Sequence, residues 1–175
     1  IFGLDDLRVF ANNLNNTEPL KIFCNSNSIQ DIKLRFNYLF KETQKAGGKL
    51  KCTLHNIEDY ATDYPLLLGK IAIEPIPLMH GNLKTCGYLF RPTLENGIFA
   101  KNEESIAYLT DCNQLADSSY KIIQNIGTLI IDALRERPHS THFNFVQAFE
   151  VAKKVKAKKT YTTHMCHDFF HTEIE

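Results

Sequence analysis

Four strand-like runs in this chain end on a carboxylate or an imidazole: Leu78-Met79-His80, Leu109-Thr110-Asp111, Ile130-Ile131-Asp132 and Thr162-Thr163-His164. No other feature constrains the fold as tightly. In open α/β sheets, ligands gather beyond the carboxyl ends of the strands, where side chains converge while the sheet fixes their backbones. Neutral imidazole and carboxylate together suit zinc, manganese or iron. A plainer reading competes with this one: each polar residue is simply the first exposed position after a buried strand. Spacing alone leaves both open.

The segments between these runs predict the elements that would hold them. Residues 19–24 read as a short strand after Pro19. Ser28 and Asp31 form an S-x-x-D helix start. Ile29, Ile32, Phe36, Leu39 and Phe40 follow at helical spacing, and Gly47-Gly48 ends the pattern. Residues 49–69 show no clean period. Residues 71–77 read as a strand that Pro75 and Pro77 place at a sheet edge or near the strand's own end. Residues 86–90 predict another strand, and the polar stretch 93–104 a loop. Strands are then expected at 105–110, 128–131 and 160–163. A helix over about 116–126 carries Leu115, Ile122, Ile123 and Ile126 on one face. Asn144 can cap another that buries Phe145, Ala148, Phe149, Ala152 and Val155. Such alternation implies parallel pairing with helices covering the sheet.

Composition narrows the class. A chain of 175 residues predicts one domain. Twenty basic side chains balance twenty acidic ones, which argues against the strong positive field that non-specific nucleic-acid binding needs. No apolar run is long enough to span a bilayer, so no membrane association is expected. Cys24, Cys52, Cys86, Cys112 and Cys166 are odd in number and never form C-x-x-C, which reads as reduced thiols in a cytoplasmic protein. Five of the seven histidines fall late in the chain: His139, His142, His164, His167 and His171.

Ordered segments in this sequence resemble the metallo-β-lactamase superfamily. They are Pro77-Leu78-Met79-His80-Gly81, Tyr108-Leu109-Thr110-Asp111-Cys112, Leu129-Ile130-Ile131-Asp132-Ala133-Leu134-Arg135, Pro138-His139-Ser140-Thr141-His142-Phe143 and Thr163-His164-Met165-Cys166-His167-Asp168. Within the superfamily they are most similar to the branch of the phosphoribosyl cyclic phosphate phosphodiesterases. Gly3-Leu4-Asp5-Asp6-Leu7-Arg8 also resembles the segment immediately after that family's H-x-H-x-D-H motif. The resemblance implies an α/β fold, a four-layer αβ/βα sandwich whose N-terminal portion is missing. Residues 1–175 would then be a single metallo-β-lactamase-like domain, partial at its front and its end.

The same resemblance implies a site of two divalent metal ions, zinc or manganese with iron as an option. His80 would hold the first ion, Asp111 would bridge both and His164 would hold the second. A bridging hydroxide would attack the phosphorus of a small or cyclic phosphodiester. His142 matches the family's non-ligand histidine, a proton donor to the leaving group. Asp132 either orients a metal-bound histidine or serves only the strand end, and His139 reads as a loop histidine. His167 matches a ligand of an additional structural zinc, although the cysteine cluster that would complete that site is absent from this sequence. Alternatively His164, His167 and His171 share one helical face, as a local metal site or a polar stripe. Arg35 and Tyr38 either reach a substrate phosphate or only pack, and Asp5 and Asp6 come just after the missing motif. Lys153, Lys154, Lys156, Lys158 and Lys159 suit a solvated helix end, with an RNA-backbone contact as the alternative. Two rival functions remain: an RNA-processing nuclease of the same superfamily, and a non-catalytic binding protein that kept the fold. A homodimer is compatible with either enzymatic reading.

Overall fold

The computed structural model describes residues 2–9, 18–41, 49–94 and 97–168. The chain divides into two compact units, Ile1–Asp59 and Tyr60–Glu175.

In the first unit, β1 (Leu20–Cys24) and β2 (Cys52–Asn56) pair in parallel, with Leu20 opposite Cys52 and Cys24 opposite Asn56. Helix α1 (Ser26–Arg35) lies between them in sequence. Its cap is Asn25, whose side chain accepts the Ser28 N–H at 2.8 Å. Ser28 therefore sits inside the first turn and does not start the helix, contrary to the S-x-x-D pattern. The predicted stripe is also interrupted: Phe36 leaves helical geometry at φ −111°, and a separate turn α2 (Asn37–Phe40) follows. Leu4, Ile32 and Leu50 form the buried centre of this unit, with Leu20, Ile22, Phe36, Leu39 and Leu54 packed against it. Gly47-Gly48 lies outside the described residues.

The second unit is built on one mixed sheet. Among the described residues it has seven strands, in the order β3-β4-β5-β6-β8-β9, with β7 paired to β4. The strands are β3 (Leu66–Leu68), β4 (Ile71–His80), β5 (Leu83–Pro92), β6 (Ile106–Leu109), β7 (Gln114–Leu115), β8 (Thr128–Asp132) and β9 (Lys159–Thr163). Strands β4 and β5 form a long antiparallel hairpin, so parallel pairing is confined to β6, β8 and β9. The prolines also sit differently from expectation, because β4 is an interior strand. It meets β3 only over residues 71–73 and β7 only at Leu78 and Met79. Pro75 and Pro77 fall in the gap between those partners, where β4 is paired on one side only. That is where a missing N–H is tolerated.

Helices α3 (Asp117–Ile122) and α4 (Phe145–Val155) make the β6-to-β8 and β8-to-β9 crossovers. Helix α3 is shorter than its pattern, ending before Ile123 and Ile126, yet both residues are fully buried. A capping box fixes the start of α4: the Asn144 side chain accepts the Gln147 N–H at 2.8 Å, and the Gln147 side chain accepts the Asn144 N–H at 3.0 Å. Its buried face is Ala148, Val151 and Val155, with Phe145 and Ala152 partly covered. Phe149, expected inside, is half exposed because it points about 100° around the helix from Ala148. The core joins these residues to Ile76, Leu78, Leu89, Leu109, Leu129 and Ile131. Each such side chain contributes about 1.5–3 kcal/mol by leaving water.

This topology sets the direction of the strands. Strand β5 runs against both β4 and β6, while β6, β8 and β9 run together. Strands β4, β6, β8 and β9 therefore all end at one edge of the sheet.

Candidate metal centre

That edge carries the four polar residues. His80 closes β4, Asp111 lies just beyond β6, Asp132 closes β8 and His164 follows β9. Asp111 and His164 both take left-handed backbone, at φ 52° and φ 64°. Aspartate and histidine enter that region more readily than bulkier residues, but each still costs on the order of 1–3 kcal/mol. Backbone bonds tie the loops together. Asn113 N–H donates to the Met79 carbonyl at 2.9 Å, Ala133 N–H to Thr163 at 3.0 Å, Phe143 N–H to Cys112 at 3.0 Å and Cys166 N–H to Leu134 at 3.0 Å.

Side chains converge accordingly. The Nε2 atoms of His80 and His142 are 3.2 Å apart. His164 Nε2 lies 3.2 Å from Asp111 Oδ1. The rings of His142 and His164 stack at 4.8 Å between centroids. His142 Nδ1 donates to Asp132 Oδ2 at 2.7 Å, and the same oxygen accepts the Cys112 N–H at 3.0 Å. Asp132 is wholly buried, and its Oδ1 has no hydrogen-bond partner among the described residues. Its carboxylate therefore meets His142, the histidine read as the proton donor and not one of those read as metal ligands.

These residues fit divalent cations. Ligating atoms of His80, Asp111 and His142 all lie within 4.8 Å of one another, as do those of Asp132, His142 and His164. Two donors on one tetrahedral ion, at about 2.0–2.2 Å each, stand roughly 3.3 Å apart. The Asp111–His164 separation matches that spacing. The partnerless buried oxygen of Asp132 is a further sign that the site's polar groups are not satisfied by protein alone.

Other predicted residues fall outside these clusters. His139 is adjacent, its ring 5.1 Å from that of His142, and its Nδ1 accepts the Thr141 N–H at 3.3 Å. Burial, then the Arg135 guanidinium and the neighbouring His142 and His80 push its pKa down. His167 is exposed in the turn after β9 and belongs to neither cluster. The residues from Thr163 to Asp168 form no helix, so the shared helical face of His164 and His167 does not exist; His171 lies outside the described residues. Arg35 is exposed at the end of α1 and Tyr38 is exposed in the turn after it; both belong to the first unit.

Sequence reasoning missed Asn113. Its Oδ1 accepts the Gly81 N–H at 2.9 Å and its Nδ2 donates to the Ser140 carbonyl at 2.9 Å, so one side chain joins the loops of His80, Asp111 and His142. Gly81 has φ +60°, and a Cβ there would stand 2.9 Å from Thr141 Cγ2, which explains the glycine.

Comparison with known proteins agrees with this geometry. The sequence profile of the beta-lactamase superfamily domain matches residues 1–165. A diphosphatase of the PhnP family is 28% identical with a TM-score of 0.75, covering 99% of this chain and 58% of that one. YhfI of Bacillus subtilis, a metallo-β-lactamase fold protein, is 20% identical with a TM-score of 0.62, over 97% of this chain and 61% of that one. The short form of human tRNase Z is 17% identical with a TM-score of 0.63, over 94% and 67%. An octanoyltransferase of Porphyromonas gingivalis is 24% identical over 166 residues, 94% of this chain but only 30% of that protein. The chain thus spans about a third of the curated relative it matches and under two-thirds of the diphosphatase. The α/β fold is that of the metallo-β-lactamases, as the ordered motifs implied. With its profile matched almost end to end and its histidines and aspartates gathered at one sheet edge, the chain belongs to the beta-lactamase superfamily.

Proposed function

We propose that the protein is a metal-dependent hydrolase that cleaves a phosphodiester, small or cyclic, with two divalent cations at the sheet edge. The observation that carries this reading is the convergence of His80, Asp111, His142 and His164 from four separate segments. The 28% likeness to a diphosphatase supports phosphorus as the reacting centre. Bound cations would supply Lewis acidity and the charge that activates water near neutral pH.

The chain's own residues divide the work. His80 would hold the first cation, His164 the second, and Asp111 would serve both. Neutral imidazoles fix position without cancelling the cationic charge. Asp132 accepts the His142 Nδ1 proton and leaves Nε2 facing the site; with both ring nitrogens protonated, His142 would pass the Nε2 proton to the departing oxygen and keep the one on Nδ1. Such a donor contributes about 10²–10⁴-fold. The nuclease alternative gains nothing from a chain with balanced charge, and likeness to tRNase Z at 17% speaks for the fold alone.

Metal analysis and turnover of bis(p-nitrophenyl) phosphate by the full-length protein test this reading. Asp111→Ala is expected to lose both bound metal and rate. Undiminished metal and turnover in that variant would overturn the proposal.

A further inference from the structure

In the loop between β8 and α4, His139 stands three residues before His142. Its ring lies 5.1 Å from that of His142, tilted by 43°. His142 in turn belongs to both ligand clusters at the sheet edge. A second imidazole is therefore held beside the proton donor, and the division of work above gives it nothing to do.

The tautomer of His139 follows from its hydrogen bonds. Nδ1 lies 3.3 Å from the Thr141 backbone nitrogen and 3.2 Å from the Thr141 hydroxyl. A backbone N–H can only donate, so Nδ1 is the acceptor and carries no proton. The proton of the neutral ring then sits on Nε2. Protonating Nδ1 as well would turn a second N–H toward the Thr141 amide, so the loop favours the neutral form. Thr141 is itself confined, because its Cγ2 lies where a Cβ on Gly81 would stand only 2.9 Å away. One edge of the His139 ring is thus fixed. Nε2, on the opposite edge, has no hydrogen-bond partner among the described residues, and the side chain is half-buried.

We infer that His139 donates a hydrogen bond from Nε2–H to the departing oxygen of the substrate, alongside His142. The two imidazoles divide one task. His142 transfers its Nε2 proton to that oxygen, while His139 keeps its own proton and spreads the charge that develops there. A neutral donor suits this place, since it does not repel the cations. The inference rests on the hydrolase reading for the substrate and adds a second donor to it.

Asparagine and glutamine separate the two edges of the ring. In His139→Asn the amide oxygen can still accept the Thr141 N–H, but nothing reaches the position of Nε2. In His139→Gln an amide nitrogen can stand near that position, but Thr141 loses its acceptor. The metal-loaded, full-length proteins are assayed with methyl phenyl phosphate and methyl p-nitrophenyl phosphate, which differ in the acidity of the departing phenol. His139→Asn is expected to lower kcat/KM for the phenyl ester about 10–100-fold, the scale of one hydrogen bond to a charged group. The loss on the p-nitrophenyl ester should be only several-fold, because that anion leaves with less help. His139→Gln should keep the larger part of both rates. Equal losses on the two esters, or a greater loss in His139→Gln than in His139→Asn, overturn the inference and leave His139 as a prop for Thr141. An active wild type with His139→Asn unimpaired overturns the inference alone. Turnover of neither ester by the wild type refutes the hydrolase reading, and the inference falls with it. A further measurement needs neither activity nor a variant that folds: nitrogen NMR of the imidazoles in the metal-depleted, full-length protein at neutral pH. It should show His139 with its proton on Nε2 and a bare Nδ1; a proton on Nδ1 overturns the inference.

Discussion

Asp132 shows how much one buried carboxylate decides. Its Oδ2 accepts from both His142 and the Cys112 backbone, while its Oδ1 is left without a donor. Replacing it with asparagine keeps the shape but removes the negative charge that holds His142 Nδ1–H. Asp132→Asn is therefore expected to lower kcat about 10–100-fold, the usual cost of losing an orienting partner, while metal content measured by elemental analysis persists. Cys112 lies against the same carboxylate. Burial, with Asp132 and Asp111 beside it, pushes its thiol pKa far above the ordinary value. A raised folded pKa stabilises the fold below the unfolded value and loses that contribution as pH climbs past about 9. Cys24 and Cys52 are shifted the same way by burial. Two outcomes are expected: Cys112 stays unlabelled by thiol reagents in the folded protein at pH 8, and melting temperature falls above pH 9.

Elements place these residues through their ends. The polar strand ends were legible in the sequence because each follows an apolar run that only a buried strand explains. The start of α4 was legible too, since Asn144 precedes a helical period; Val151 is buried and Phe149 is not because they lie about 60° and 100° to opposite sides of Ala148, and the core is on the side of Val151. Other features left no local trace. Strand β7 is two residues long and has no period to detect. The break at Phe36 separates residues that still share helical spacing. The bonds of Asn113 and the left-handed turns at Asp111 and His164 depend on which loops meet, a tertiary fact. Asn113→Ala should therefore be informative. It strands the Gly81 N–H and the Ser140 carbonyl at a part-exposed site, so a loss of about 1 kcal/mol in urea unfolding is expected, together with weaker metal retention. By contrast Asn144→Ala, remote from the cluster, should cost about 1 kcal/mol through the lost cap and leave metal binding intact.

At the scale of the molecule, the long hairpin and the parallel strands bring residues from distant parts of the sequence to one edge, and that is why no single motif defines the site. Resemblance to a family supplied the assignment of His80, Asp111 and His164, and the topology supplies the reason they can meet. A cage assembled this way couples metal to fold. Cations that bind the native arrangement and not the unfolded chain stabilise by mass action, about 2.7 kcal/mol at a hundred times the dissociation constant. Chelation should lower the melting temperature accordingly, and the loss should be local before it is global. The strand-end loops are cross-linked by the amides of Gly81, Asn113, Ala133, Phe143 and Cys166, so those amides should exchange with deuterium faster once metal is removed. Amides deep in β8, between β6 and β9, should keep their protection. Because imidazole binds metal only when neutral, the difference between loaded and chelated protein should shrink as pH falls through the range where histidine protonates. Identical exchange rates at the strand ends with and without metal would mean that the cluster closes by itself, and that the cations contribute nothing to holding it.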